Sequence, residues 1–344
     1  MLHVTIEKRT LLYRKPATTS RGTYTQREIR LVHVADSQRP DIEGVGECSP
    51  LPDLSADALP GTYDLNLLAV CNDLCQSGTL CTDDLRSLPS ILFGLETALW
   101  QLQRGGSQAL SSTPFARAEV GIPINGLVWM ADLPQMMEEM ERKVKAGFHC
   151  IKLKIGGLDF DRELLMVRTL RSHYPNIQIR LDANGAFDPH DALSKLDALS
   201  HFDIHSIEQP IRAKQWNQMA HICKSSPIPI ALDEELIGVA TPDQKALMLS
   251  TIQPQYIVLK PTLHGGISGT REWVSLANNM GIGSWLTSAL ESNVGLNAIA
   301  HLAAELYGPN PDLPQGLGTG QLFTENIPMP LVLRGEHMFF QLQD

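Results

Sequence analysis

Two rhythms of apolar and polar positions divide the chain. In the first 115 residues, "LHVTIEKRTLLYR" and "REIRLVHVAD" alternate apolar and polar residues, the period of half-buried antiparallel strands. Between them "KPATTSRGTYTQ" is polar and turn-rich, and a mobile loop is expected there. "GVGECSPLPDLS" then reads as a strand end running into a loop, and helical periodicity covers 61–77 and 86–103. Strands followed by helices describe an α+β module.

From Val120 the rhythm changes. Short apolar runs, "VGIPIN", "CIKLKIG", "IQIRLDANG", "IHSIEQP", "IPIALDE", "YIVLKP" and "GSWLTSA", alternate with amphipathic stretches at 131–146, 159–173, 188–200, 212–225, 241–250, 267–279 and 291–306. Such βα alternation predicts a parallel sheet. A closed barrel accommodates it with helices outside and no free edge. An open doubly wound sheet is the rival, but no Gly-rich dinucleotide fingerprint follows the first strand. The tail, "EHMFFQLQD", alternates again and is expected to return to the first module as a strand.

Charge narrows the partners. With 28 Lys and Arg against 38 Asp and Glu, the net charge is −10. This argues against a nucleic-acid polyanion and offers no basic surface to anionic lipid. The first residues contain no apolar core of signal-peptide length, and no apolar run approaches the ~18–20 residues of a membrane span. A cytoplasmic protein is therefore expected. Cys48, Cys71, Cys75, Cys81, Cys150 and Cys223 lack the spacing of a zinc site and read as core residues or reduced thiols. Oligomeric state is not legible.

The chemistry sits at the ends of the apolar runs. Asp182, Glu208 and Asp233 each close one, about one βα unit apart. In a parallel barrel, strand ends project into one mouth. Singly, such acids serve as helix caps. Three together would repel one another unless a cation sat among them. Carboxylates without His or Cys suit magnesium, with manganese as an alternative. Lys152 and Lys154 alternate onto one side of the preceding run, and Lys260 ends the run after the acids. Salt bridging to the acids is one reading of these lysines. The other is that a lysine beside a metal and a second lysine has a lowered pKa and acts as a general base. A metal beside a lysine base suits abstraction of the proton α to a carboxylate, because the enediolate so formed needs electrophilic stabilisation.

These segments resemble those of the enolase superfamily. "IKLKIGG" is similar to the K-x-K motif of its muconate-lactonising subgroup. "LDANGAF", "IEQP" and "ALDEEL" resemble its three metal-ligand segments, and "LKPTLHGG" resembles the strand bearing the opposite lysine. The resemblance implies a TIM-like (β/α)7β barrel over 116–320 and an α+β capping domain over 1–115, completed by a C-terminal return at 321–344. It implies Asp182, Glu208 and Asp233 as magnesium ligands, with Asn184 and Glu234 beside them. It implies Lys154 as acid/base, Lys152 as its electrostatic neighbour and Lys260 on the opposite face, acting on a small-molecule carboxylate.

The subgroup contains o-succinylbenzoate synthases, N-succinylamino acid racemases, dipeptide epimerases and muconate cycloisomerases. "LTSALESNVGLNA" lacks the Asp-x-Asp pair of the epimerases, whereas "SALESNVG" and "GLGTGQLFTENI" resemble the synthases. For a synthase the implied reaction is the syn elimination of water from a succinyl-hydroxycyclohexadiene carboxylate. Racemisation remains the alternative, and a non-catalytic relative would be expected to lose one of the mouth residues. The resemblance makes Ser288, with the N–H groups opening the following helix, an expected contact for a distal carboxylate; capping of that helix by Ser288 and Ser292 is the other reading. Arg21 and Thr23 in the first polar loop are expected anion contacts, with plain flexibility of that loop as the alternative.

Overall fold

The computed structural model describes residues 1–19 and 22–342. The alternating N-terminal segments form β1 (Leu2–Thr19), β2 (Gly22–Asp36) and β3 (Arg39–Cys48), an antiparallel sheet in the order β1-β2-β3. Val32, Val34 and Cys48 turn from it onto α1 (Tyr63–Ser77) and α2 (Pro89–Gln103). Gly44 and Gly46 let β3 lie directly on α2. A Cβ at position 46 would come within 1.8 Å of the Gly94 carbonyl oxygen, a backbone approach that only glycine permits.

Where a loop is expected at "KPATTSRGTYTQ", the described residues 15–19 and 22–26 are strand. β1 continues to Thr19 and β2 begins at Gly22, with a register shift between Leu12 and Ala17. That irregularity accommodates Pro16 on the edge strand, where a missing N–H interrupts no central ladder. Arg21 lies outside the described residues.

The apolar runs form a seven-stranded parallel sheet: β5 (Gly126–Val128), β6 (Cys150–Lys154), β7 (Gln178–Asp182), β8 (Ile204–Glu208), β9 (Ile230–Leu232), β10 (Tyr256–Leu259) and β11 (Gly283–Leu286), in sequence order. Helices α3 (Leu133–Lys145), α4 (Phe160–His173), α5 (Ala192–Ser200), α6 (Trp216–Ser225), α7 (Pro242–Ile252), α8 (Gly266–Asn279) and α9 (Asn293–Tyr307) follow the strands in turn. α6 starts four residues later than the periodicity of 212–225 suggests, because Lys214 adopts φ 71°, a left-handed conformation that no helix interior tolerates.

The parallel sheet is curled. Asn125 N donates to the Gln315 carbonyl at 2.9 Å, and Gly316 N donates to that of Leu286 at 2.7 Å. Residues 315–316 thus join the segment entering β5 to the end of β11. Along the strands Ile151, Leu153, Ile179, Leu181 and Ile207 are buried in the large core. Their neighbours Lys152, Lys154, Arg180, Asp182, Ser206 and Glu208 take the other face, as the two-residue period requires.

The tail forms β12 (Leu331–Arg334) and β13 (His337–Phe340), which pair in the order β12-β13-β4 with β4 (Ile122–Pro123). It covers the entering ends of the strands and does not join β1–β3 as the alternation alone suggested. The C-terminal segment that meets the first sheet is 322–324. Arg14 N donates to the Leu322 carbonyl and Thr324 N to that of Leu12, both at 2.8 Å. All six cysteines are free thiols. Among the described residues no helix is long and apolar enough to cross a membrane.

Candidate active site

Register brings the charged residues together. Lys154 stands opposite Asp182, and Asp182 opposite Glu208, across β6, β7 and β8. Asp233 follows β9 and Lys260 follows β10. Asp182, Glu208 and Asp233 are almost completely buried, so their charges must be met by protein cations or a metal.

In this structure lysines meet them. Lys152 Nζ lies 2.9 Å from Asp182 Oδ2 and 3.0 Å from Glu208 Oε2. Lys154 Nζ reaches the same Asp182 oxygen and Asn184 Oδ1, each at 2.6 Å. Lys260 Nζ donates to Asp233 Oδ2. Asn184 Nδ2 donates in turn to Glu234 Oε1 at 3.0 Å. The tight turn that aims Asn184 uses φ 44° there and φ 76° at Gly185.

These contacts set the protonation. Burial alone would raise Asp182, but Lys152 and Lys154 hold its carboxyl well below the usual range. Glu208 is pushed up to about 8 by burial and then by the Asp182 charge. Burial would lower Lys152 and Lys260, yet the neighbouring carboxylates, Asp182 for the first and Asp233 for the second, carry both above the ordinary lysine value.

Among the described residues no three acidic, histidine or cysteine side chains converge as a metal cluster. The reason is visible: Lys152 bridges Asp182 and Glu208, and Lys260 draws Asp233 aside. The donor set nevertheless suits a hard divalent cation. It comprises three buried carboxylates on adjacent strand ends, and Asp233 Oδ1 has no protein partner.

The three lysines, Asn184 and Glu234 form one side of a cavity. Asn125, Thr287, Ser288 and Thr319 face it with polar groups, while Leu51, Leu54 and Tyr24 reach it from the N-terminal module. Thr23 is exposed, and its neighbour Tyr24 is the residue that lines the cavity. Tyr24 also hydrogen-bonds Asp53 at 3.1 Å, linking the hairpin to the following loop.

Ser288 lines the cavity as expected, but its hydroxyl donates to Glu291 Oε2 at 2.7 Å. The first turn of α9 is closed to an anion as well. Ser292 N and Gly295 N bond Glu47, Asn293 N bonds Asn326 Oδ1, and Val294 N bonds the Ser292 hydroxyl. In this structure the Ser288 hydroxyl proton and these helix N–H groups are taken by acceptors of the protein itself. Among the described residues, Thr319 Oγ1 and Glu234 Oε2 are buried cavity-wall atoms without a protein partner.

Residues 135–315 match the family model described as enolase C-terminal domain-like. The chain is also 42% identical to the o-succinylbenzoate synthase of Desulfotalea psychrophila, over 94% of this chain and 95% of that one. The chain belongs to the enolase superfamily, in its o-succinylbenzoate synthase family. The o-succinylbenzoate synthase of Shigella sonnei is 29% identical, over 84% of this chain and 85% of the relative. The crystal structure of MenC from Desulfotalea psychrophila superposes with a TM-score of 0.82 at 37% identity, covering 98% of this chain and 99% of that one. A substrate-liganded L-Ala-D/L-Glu epimerase from Bacillus subtilis gives a TM-score of 0.80 at 19% identity, covering 98% and 96%. That similarity shows a shared fold.

Two supporting residues, Gln209 and His264, lie inside the segments "IEQP" and "LKPTLHGG" without being singled out there. Gln209, at φ 41°, accepts from Asp233 N and Glu235 N at 3.2 Å each and so sets the end of β9. His264 Nδ1 accepts from Lys260 N at 3.0 Å. Gln209 stands directly after Glu208 and His264 four residues after Lys260, and that proximity to charged strand ends is the signal that could have marked them.

Proposed function

We propose that the chain catalyses the syn-dehydration of 2-succinyl-6-hydroxy-2,4-cyclohexadiene-1-carboxylate to 2-succinylbenzoate, a carbon–oxygen lyase reaction supplying menaquinone or phylloquinone synthesis. The observation that carries this reading is the row of Lys154, Asp182 and Glu208 in register, in a chain so similar to an o-succinylbenzoate synthase along its length. The finer architecture is part of the proposal. The 315–316 segment acts as the last strand of a closed (β/α)7β barrel spanning 116–320. Residues 1–115 cap its mouth, and 321–344 return along both modules.

Asp182, Glu208 and Asp233 are the proposed ligands of magnesium, or of manganese in its place, with Asn184 and Glu234 beside them. When bound, the ion supplies Lewis-acid stabilisation of the charge that proton loss places on the substrate carboxylate. Lys154, aimed by Asp182 and Asn184, takes the α-proton. The C–H bond breaks as an N–H bond forms on Nζ. The C–O bond to the ring hydroxyl then breaks on the same face, and Lys154 returns the proton to the departing oxygen, giving water and an aromatic ring. Lys152 lends positive charge to the same carboxylates. Lys260 stays protonated against Asp233 and faces the ring or enediolate from the other side.

The distal succinyl carboxylate falls against the neutral wall of Asn125, Ser288 and Thr319. The free Thr319 hydroxyl supports this placement. Tyr24, Leu51 and Leu54 exclude water from the reacting face. A reducing, cytoplasmic setting belongs to the same proposal, supported by the free state of all six cysteines. Lys260 also keeps a second reading open, racemisation of N-succinylamino acids, in which it would exchange a proton on the opposite face.

Incubation with the cyclohexadiene substrate and magnesium tests the proposal. Stoichiometric 2-succinylbenzoate, abolished by chelation and restored by magnesium, is expected. Unchanged substrate under these conditions would refute it.

A further inference from the structure

The first turn of α9 is held by a carboxylate from the other module. Glu47 is the penultimate residue of β3 in the N-terminal sheet and is fully buried. Its Oε1 accepts from Ser292 N at 2.9 Å, and its Oε2 accepts from the Ser292 hydroxyl and from Gly295 N at 3.0 Å. Nothing larger than glycine is accommodated at 295, where a Cβ would stand 2.7 Å from that of Glu291 and 3.2 Å from Glu47 Oε2.

The contact continues to the cavity. Glu291, preceding Ser292, takes the Ser288 hydroxyl and Ala289 N on Oε2 at 2.7 Å each, and the Thr262 hydroxyl on Oε1. Ser288, Ala289 and Leu290 are cavity wall. Arg27 of β2 grips the same segment from its other side, donating to the Ala289 carbonyl at 3.3 Å and to that of Pro50 at 2.9 Å. Behind Glu47, Gly46 seats β3 on α2 with no room to shift.

We infer that Glu47 is a positioning residue for the substrate site: it places the 288–290 wall by fixing the start of α9 to the capping sheet. The carboxylate satisfies backbone N–H groups that the helix cannot satisfy itself and meets the positive end of its dipole. Without it, the wall loses its reference to the module that supplies Tyr24, Leu51 and Leu54. The consequence falls on recognition of the distal part of the substrate, since the lysines and acids sit on other strands. This inference rests on the proposed dehydration only for the choice of substrate.

The test uses Glu47→Gln in the full chain, with Ser292→Ala as a second variant that removes one donor and leaves the acid. Amide exchange is read first, without substrate. The Ser292 and Gly295 amides are expected to exchange about tenfold faster or more in Glu47→Gln, with the β6–β8 amides unchanged. With the cyclohexadiene substrate, KM is expected to rise about tenfold while kcat changes by less than about threefold and magnesium affinity holds. Ser292→Ala should move both readouts the same way by less. A purely structural role would lower the melting temperature and the folded fraction while KM stayed at the wild-type value, and that result, or unchanged exchange at Ser292 and Gly295, would overturn the inference. If the wild-type protein does not dehydrate the substrate, the proposed reaction fails, and exchange alone decides the role of Glu47.

Discussion

Lys154 Nζ lies 2.6 Å from Asp182 Oδ2, on the oxygen that Lys152 also reaches. The proposed base and a proposed metal ligand therefore share one contact, and a cation that takes up the Asp182 charge frees Lys154 for the substrate. Lys154→Ala is expected to lower kcat for dehydration by at least about 100-fold, the smaller end of what a positioned general base contributes. Magnesium affinity should change little. Turnover near the wild-type rate would remove Lys154 from the base role.

Lys260 has a different task. Its ammonium sits on Asp233, and dehydration asks of it only a positive charge. Lys260→Arg keeps that charge but can hardly exchange a proton, given a guanidinium pKa above ~12. Measurable dehydration should persist, while any α-proton exchange on an N-succinylamino acid in deuterated water should vanish. Retained exchange in this variant would show that Lys260 is not the second base.

As a proposed ligand, Glu208 is expected to make metal binding depend on pH. Burial and the Asp182 charge push it up to about 8 in the metal-free protein. Below that pH the carboxyl carries a proton that an incoming cation must displace; above it the carboxylate is ready. Apparent magnesium affinity should therefore fall about tenfold for each pH unit below about 8 and level off above it. Calorimetry in buffers of different ionisation heat should detect the released proton. Glu208→Gln should bind magnesium more weakly and lose this dependence. Affinity that stays flat from about pH 6 to about pH 9 in the wild type would contradict the assignment.

Gly46 carries the seat of the capping sheet on α2. Gly46→Ala places a methyl group within 1.8 Å of a backbone oxygen, a clash that no side-chain rotation relieves. A loss of about 3 kcal/mol, the upper end of ordinary overpacking, is expected in thermal or urea unfolding. An unchanged midpoint would mean that β3 and α2 do not meet as described.

What the chain discloses before folding follows its periodicities. Lys152, Lys154, Asp182 and Glu208 are legible because a two-residue period ends in charge, and adjacent parallel strands then place those ends side by side. Pro16 and the polar residues after it have the composition of a loop, while an edge strand such as β1 tolerates a proline and polar side chains. Motif spacing around Ser288 does not reveal that Glu291 and Glu47, ordinary acids in the sequence, take its hydroxyl and two of the helix N–H groups. Buried charge of this kind is fixed by tertiary partners far along the chain. One local hint was present: two glycines spaced across a strand, Gly44 and Gly46, mark a close backbone approach just before Glu47.

The central claim is the reaction, and the ratio of two rates tests it most directly. With magnesium present, kcat/KM for dehydration of 2-succinyl-6-hydroxy-2,4-cyclohexadiene-1-carboxylate is measured beside kcat/KM for α-proton exchange of N-succinylamino acids in deuterated water. The account expects dehydration to exceed exchange by at least about 100-fold, a difference of ~2.7 kcal/mol in transition-state stabilisation. Rapid exchange without dehydration would contradict it and make the chain a racemase.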